Sequence, residues 1–144
     1  MTRRRLPIGI QTFREIREEG YYYVDKTGYA LRLIEQGKYY FLSRPRRFGK
    51  SLFLDTLAEL FAGNEPLFRG LQAHEHWDWE RRYPVIRLSF AEGVLDTREA
   101  LDRRIFDLLR INAERLGVSV YPDLDVAGSF GELIPGLFAV GRKT

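Results

Sequence analysis

The chain of 144 residues contains no cysteine at all. That absence excludes disulfides, thiolate nucleophiles and cysteine-ligated zinc. It suits a reducing compartment, and the cytoplasm is the expected location. Long hydrophobic runs are missing too. No apolar stretch approaches the ~20 residues needed to cross a bilayer, and the opening Met1-Thr2-Arg3-Arg4-Arg5 is followed by Leu6-Pro7-Ile8-Gly9, not by the apolar core of a signal peptide. Neither membrane spanning nor secretion is expected. Histidine is scarce: His74 and His76 flank Glu75 just ahead of Trp77. Catalytic zinc usually takes three protein ligands, so this pair reads as solvated side chains and not as a metal centre.

What is present is enough apolar material for a core. With 44% hydrophobic and 30% charged residues, the chain is too apolar to remain disordered and too polar to live in lipid. Its length points to one domain over residues 1–144. The net charge is only +3, but the cations are clumped at Arg3–Arg5, Arg44–Lys50 and Arg81-Arg82. Such clumping suggests an anionic partner.

Along the chain, short apolar runs alternate with helical periodicity. Phe13 to Glu19 predicts a short helix ended by Gly20, and Tyr21 to Val24 a β-prone run. Asp25 or Thr27 then offers an oxygen to cap a helix carrying Ala30, Leu31, Leu33 and Ile34, stopped at Gly37. Lys38 to Ser43 reads as a buried strand, and from Ser51 the residues Leu52, Phe53, Leu54, Leu57, Leu60 and Phe61 recur at helical spacing up to Gly63. Leu67 to Glu80 is irregular, with Phe68, Leu71, Trp77 and Trp79 as packing anchors on the outside of a sheet. Pro84 to Phe90 reads as another strand.

Asp96-Thr97-Arg98-Glu99 resembles a capping box and opens a helix whose apolar stripe is Leu101, Ile105, Leu108, Leu109 and Leu116, closed by Gly117. Ser119 to Pro122 reads as extended, and Phe130 to Val140 as a further helix bent at Pro135. This alternation predicts an α/β fold, a three-layer sandwich around a mainly parallel sheet.

The chemistry concentrates at the turn between the expected strand and the helix after it. Phe48-Gly49-Lys50-Ser51 combines a glycine that lets backbone approach an anion, a lysine for outer phosphates, and a hydroxyl placed to ligate magnesium. The helix mouth adds unpaired N–H donors and a partial positive charge. The usual phosphate loop, Gly-x-x-x-x-Gly-Lys-Ser/Thr, has Arg44 here in place of its first glycine. Arg44, Arg46, Arg47 and Lys50 crowd four positive charges into seven residues. Like charges repel in a tight turn, and an anion would relieve them.

Four blocks taken together resemble a known family. They are Ile8-Gly9-Ile10-Gln11 through Ile16-Arg17, Tyr21 to Thr27, Arg44-Pro45-Arg46-Arg47-Phe48-Gly49-Lys50-Ser51-Leu52, and Tyr83 to Phe90. In this order they look like the AAA-ATPase-like family of prokaryotic proteins, whose phosphate loop takes the form Arg-Pro-Arg-Arg-Phe-Gly-Lys-Ser. The resemblance implies a P-loop ATP-binding fold, with Arg44 to Leu52 as the nucleotide loop, ATP and Mg2+ as ligands, and Ser51 on the metal. It also implies, in longer members, a downstream domain similar to PD-(D/E)xK nucleases, and through it a nucleic-acid partner. The family's acidic Walker B strand is expected beyond a segment like Phe130 to Thr144, where this chain has ended. Hydrolysis in P-loop enzymes uses an aspartate on that strand. Neither Asp25, read as a turn or cap residue, nor Asp123 after Pro122 replaces it, so no catalytic residue is assigned and hydrolysis is expected to be weak or absent.

Two other readings stand beside this one. A nucleic-acid module could use Arg3–Arg5, the basic turn and Tyr21–Tyr23, since basic tracks with aromatic stacking hold single strands. A non-catalytic remnant would leave a sheet lacking its central strand, and self-association through that uncovered sheet is its expected consequence.

Overall fold

The computed structural model describes residues 3–91, 93–119 and 125–141, with side chains up to 135. Among these residues there are five α-helices and two short 3-10 turns, and no β-strand. The expected α/β three-layer sandwich is therefore not the fold: the described chain is helical. The chain divides into two compact units, residues 1–83 and 84–144.

Helix positions follow the periodicity and punctuation of the sequence. In the first unit α1 is Phe13–Glu18, α2 is Thr27–Gln36 and α3 is Lys50–Phe61. The 3-10 turns Glu65–Phe68 and Gln72–Glu75 come next. In the second unit α4 is Arg98–Leu116 and α5 is Val126–Gly141, with Pro135 inside it. At the ends of α1, α3 and α4 a glycine at φ near +70° (Gly20, Gly63, Gly117) turns the next N–H back onto the last helical turn, as in Val118 N–H to the Ala113 carbonyl at 2.9 Å. Asp25 does act as a turn residue: its Oδ1 accepts from the Thr27 N–H at 2.9 Å and the Thr27 hydroxyl at 2.6 Å.

The box at α4 is shifted by one residue. Thr97, not Asp96, caps the helix, accepting from the Ala100 N–H at 3.1 Å. The stripe of α4 also starts later than expected, since Leu101 is exposed while Leu108, Leu109, Asn112 and Ala113 are buried. Helix α5 begins four residues before Phe130, where Asp125 Oδ1 accepts from the Gly128 N–H at 2.7 Å. The expected extension at 120–122 and Asp123 lie outside the described residues.

The core of the first unit forms where α1, α2, α3 and the 3-10 turns converge. Phe13, Ala30, Leu60 and Phe68 are fully buried there. Phe13 meets Phe68 at 4.9 Å between ring centres, the rings tilted by 43°, and meets Tyr23 edge-on at 5.2 Å. Burial of one such ring contributes about 1.5–3 kcal/mol. Trp77 and Trp79 are anchors as expected, but against helices and turns: Trp77 meets Phe61 at 5.7 Å, and Trp79 meets Phe68 at 5.1 Å while donating to the His74 carbonyl at 2.8 Å. In the second unit Leu109 and Ala113 of α4 close on Leu133 of α5, with Ile86 and Val118 beside them.

Neither the two expected strands, 38–43 and 84–90, nor the β-prone run 21–24 forms a β-strand, and Lys38 is a bend. Strands need a partner that supplies backbone hydrogen bonds. For 84–90 the side chains of α4 take that role. Asn112 accepts from the Arg87 N–H at 2.9 Å and donates to the Arg87 carbonyl at 2.8 Å. Arg104 donates to the Ser89 carbonyl at 3.3 Å, and Arg115 to that of Val85. In 38–43 the alternation that would bury one face is absent. Tyr39 is 94% exposed and Phe41 93%, and Tyr40 swings its hydroxyl back to the Leu33 carbonyl at 2.5 Å. The sheet invoked for self-association does not occur among the described residues.

Candidate functional site at the turn into the third helix

Residues 44–49 form a tight turn that ends in α3. Pro45 restricts the chain on the way in, and two left-handed residues shape the remainder of the turn. Arg47 (φ 67°) is the one non-glycine at positive φ among the described residues, and Gly49 (φ 76°, ψ 20°) is the residue just before α3. A non-glycine in this region costs about 1–2 kcal/mol, and such strain persists where the surroundings impose it, often at functional sites. No side chain caps the first N–H donors of α3, and the helix start carries its own partial positive charge.

Lys50 closes the turn. Its Nζ donates to the Arg44 carbonyl at 2.5 Å, tying the first residue of α3 back to the start of the turn. Among the described residues no carboxylate pairs with Arg44, Arg46 or Arg47. Ser51 is exposed at the first helical turn. Beside this turn lies a cavity of about 800 Å3, within the range of small-molecule sites. Two segments line it: Arg46, Arg47, Gly49, Lys50, Ser51 and Leu52 from the turn and the start of α3, and Pro7 to Gln11 from the chain ahead of α1. Arg44, Pro45 and Phe48 belong to the same turn but do not line the cavity. Phe48 is 60% exposed.

The chain just beyond Gln11 is anchored by a residue to which sequence reading assigned no role. Asp55, on the second turn of α3, is buried, and its Oδ2 accepts from the Phe13 N–H at 2.7 Å. Thr12, which precedes α1, provides no side-chain cap, so Asp55 caps α1 from 42 residues away. One helix thereby begins at the cationic turn and anchors the chain just beyond Pro7–Gln11. The available signal was a carboxylate, Asp55, directly after the apolar run Leu52-Phe53-Leu54 and before Leu57.

Other residues singled out from sequence have separate partners. His74 Nε2 lies 2.5 Å from Glu65 Oε1 and His76 Nδ1 2.9 Å from the Gln72 carbonyl. Arg5 sits over the Tyr21 ring at 5.0 Å and within 3.9 Å of Glu19. Tyr23 is packed against Phe13, and burial, foremost, raises the pKa of its hydroxyl. Of the three tyrosines, Tyr22 is the one classed as exposed. No group of three or more histidine or carboxylate side chains arranged to hold a metal occurs among the described residues, nor any helix long and apolar enough to cross a membrane.

The sequence pattern of the family described as "Predicted AAA-ATPase" matches residues 7–143. A protein of Azotobacter chroococcum mcd 1, described as "Uncharacterized protein in vnfD 5'region", is 63% identical over 144 residues. The match covers 99% of this chain and 28% of that relative, so the chain spans little more than a quarter of its length. No solved structure matches. The match runs from the segment ahead of α1, through the cationic turn, to the last helix, and the chain belongs to the predicted AAA-ATPase family.

Proposed function

We propose that the turn Arg44–Leu52 binds the phosphates of a nucleoside triphosphate, with ATP as the ligand that family membership suggests. The observation that carries this reading is the Lys50 ammonium held 2.5 Å from the Arg44 carbonyl, in a turn with two left-handed residues. In this reading Gly49 gives the phosphates backbone access, since nothing lies within 4 Å of the place a Cβ would take. Lys50 and the guanidinium groups of Arg46 and Arg47 offset phosphate charge.

Magnesium suits the site in a limited way. The Ser51 hydroxyl is the one magnesium-type oxygen donor among the side chains on the cationic wall, so phosphate oxygens and water would supply most of the shell. Bound there, the ion would neutralise phosphate charge. Among the described residues the cavity lining contains no carboxylate and no imidazole, and the reading is nucleotide binding.

The test is calorimetric titration of magnesium-ATP into the chain and into Lys50→Ala. Loss of a charge-assisted contact is expected to cost about 2 kcal/mol, roughly a thirtyfold weakening. Equal affinity in the two would sink the assignment. A nucleic-acid function is less well supported, because Tyr23 is packed into the core and Arg5 is engaged by Tyr21 and Glu19.

A further inference from the structure

The phosphate reading uses the start of α3, and the far end of the same helix borders a second cavity, of about 390 Å3. The two cavities share no lining residue. Lys50 and Phe61 stand at opposite ends of the twelve-residue α3, roughly 17 Å apart along its axis.

The second cavity is different in kind. Leu31, Ile34 and Glu35 stand at i, i+3 and i+4 on one face of α2, so helical periodicity delivers two aliphatic side chains and a carboxylate together. Phe61, Trp77 and Tyr83 add three aromatic rings. Phe61 meets Trp77 at 5.7 Å and 82°, and Tyr83 at 5.7 Å and 84°. Trp77 and Tyr83 lie 6.2 Å apart at 56°. The Tyr83 N–H donates to the Phe61 carbonyl at 2.7 Å, which fixes the backbone beneath two of the rings. Exposure does not set these rings apart, since several other aromatic side chains are more exposed than Tyr83 at 44%. Their convergence on one cavity does.

Rings set nearly at right angles form a corner, not a flat slot, and a corner suits a rounded group better than a planar one. Each ring face carries the negative end of its quadrupole. The charged side chains of the lining point the same way. Arg81 is paired with Asp78 at 3.1 Å, and His76 Nδ1 lies 2.9 Å from the Gln72 carbonyl. Glu35 has no hydrogen bond or ion pair among the described residues, so one negative charge is left over.

We propose that this cavity binds a quaternary ammonium group, with Phe61, Trp77 and Tyr83 against its methyl groups and Glu35 as the counter-charge. Such a group is rounded, carries diffuse positive charge and is attracted to ring faces. Small free molecules carry it, and so does a trimethylated lysine of a partner protein. The proposal is independent of the phosphate reading.

The experiment is calorimetric titration of the 144-residue chain with three probes, alongside proton NMR of the ligand methyl groups. The probes are choline, its uncharged carbon isostere neohexyl alcohol, and a short peptide carrying one trimethyl-lysine. Choline is expected to bind at least about tenfold more tightly than neohexyl alcohol, with its methyl resonance moved upfield by the rings. Tyr83→Leu should weaken choline about tenfold, while Tyr83→Phe keeps the ring and should stay within about threefold of the unsubstituted chain. Glu35 is exposed on α2, so Glu35→Gln leaves the core intact, and it should weaken choline about threefold at low salt and less at high salt.

A peptide that binds at least about tenfold more tightly than choline would assign the group to a partner's lysine, and the reverse order to a free small molecule. Equal affinity for choline and neohexyl alcohol would overturn the proposal, because an apolar dent would then account for both. Choline binding that neither Tyr83→Leu nor Glu35→Gln weakens would overturn it as well. So would the absence of binding by both choline and the peptide.

Discussion

The carboxylate of Asp55 and the backbone N–H of Phe13 are joined at 2.7 Å although 42 residues separate them. Through this bond the first α1 donor, which no neighbouring side chain serves, is satisfied by α3. Asp55→Ala strands a buried N–H, and a loss of about 1–3 kcal/mol is expected, read from the urea midpoint. Asp55→Asn keeps an acceptor and should recover part of it. Unchanged midpoints in both would mean that the bond contributes nothing to folding.

Arg47 carries the turn's strain and one of its cations. Arg47→Gly removes about 1–2 kcal/mol of left-handed cost and adds about 0.5–1 kcal/mol of chain entropy. A net gain of roughly 0.5 kcal/mol in stability is expected, together with weaker binding of magnesium-ATP. Thermal unfolding and titration of the same variant separate the two effects. A loss in both measurements would contradict the assignment of strain to this residue.

Asp25 should make the first unit sensitive to acid. Burial alone would raise its carboxyl, but hydrogen bonds from the Thr27 hydroxyl and from the N–H groups of Gln72 and Thr27 outweigh burial and hold it below its ordinary value. Because the folded value is the lower one, the contribution is complete above the unfolded pKa of about 3.9 and is lost as pH falls through the folded value. The stability of the unsubstituted chain should therefore fall more steeply below about pH 4 than that of Asp25→Asn, with parallel curves above about pH 5. Parallel curves throughout would remove Asp25 as a cause.

Asn112 serves both backbone groups of Arg87 and also donates to the Leu108 carbonyl at 2.7 Å. Asn112→Leu keeps the bulk and deletes these bonds. About 2–3 kcal/mol of destabilisation is expected in the second unit, with faster hydrogen exchange at the Arg87 amide. Unaltered exchange at Arg87 would show that the side chain does not protect it.

The helices were legible because their signals are local. Thr97 and Gly117 bracket α4, and Gly20 and Gly63 end α1 and α3, each through contacts a few residues away. The expected strands misled because their fate depends on distant partners. Val85 to Phe90 has strand composition, yet its backbone bonds go to Asn112, Arg104 and Arg115 of a helix that sequence cannot place beside it. The site divides the same way. Gly49, Lys50 and Ser51 stand out by residue type and order, and the structure brings them to one cavity. The capping by Asp55 and the Pro7–Gln11 part of the lining arise from tertiary pairing across 42 residues, and no spacing rule reaches that far.

Both tryptophans of the chain, Trp77 and Trp79, lie in the unit made of residues 1–83, each packed against its core and in contact with an aromatic neighbour. Indole emission is consequently a private reporter for that half of the chain, whereas far-ultraviolet dichroism sums helices from both. Melting curves that superimpose by the two spectroscopies would mean that the halves unfold as one cooperative body. Curves that part would give each half its own transition, with the earlier or later one assigned by its fluorescence.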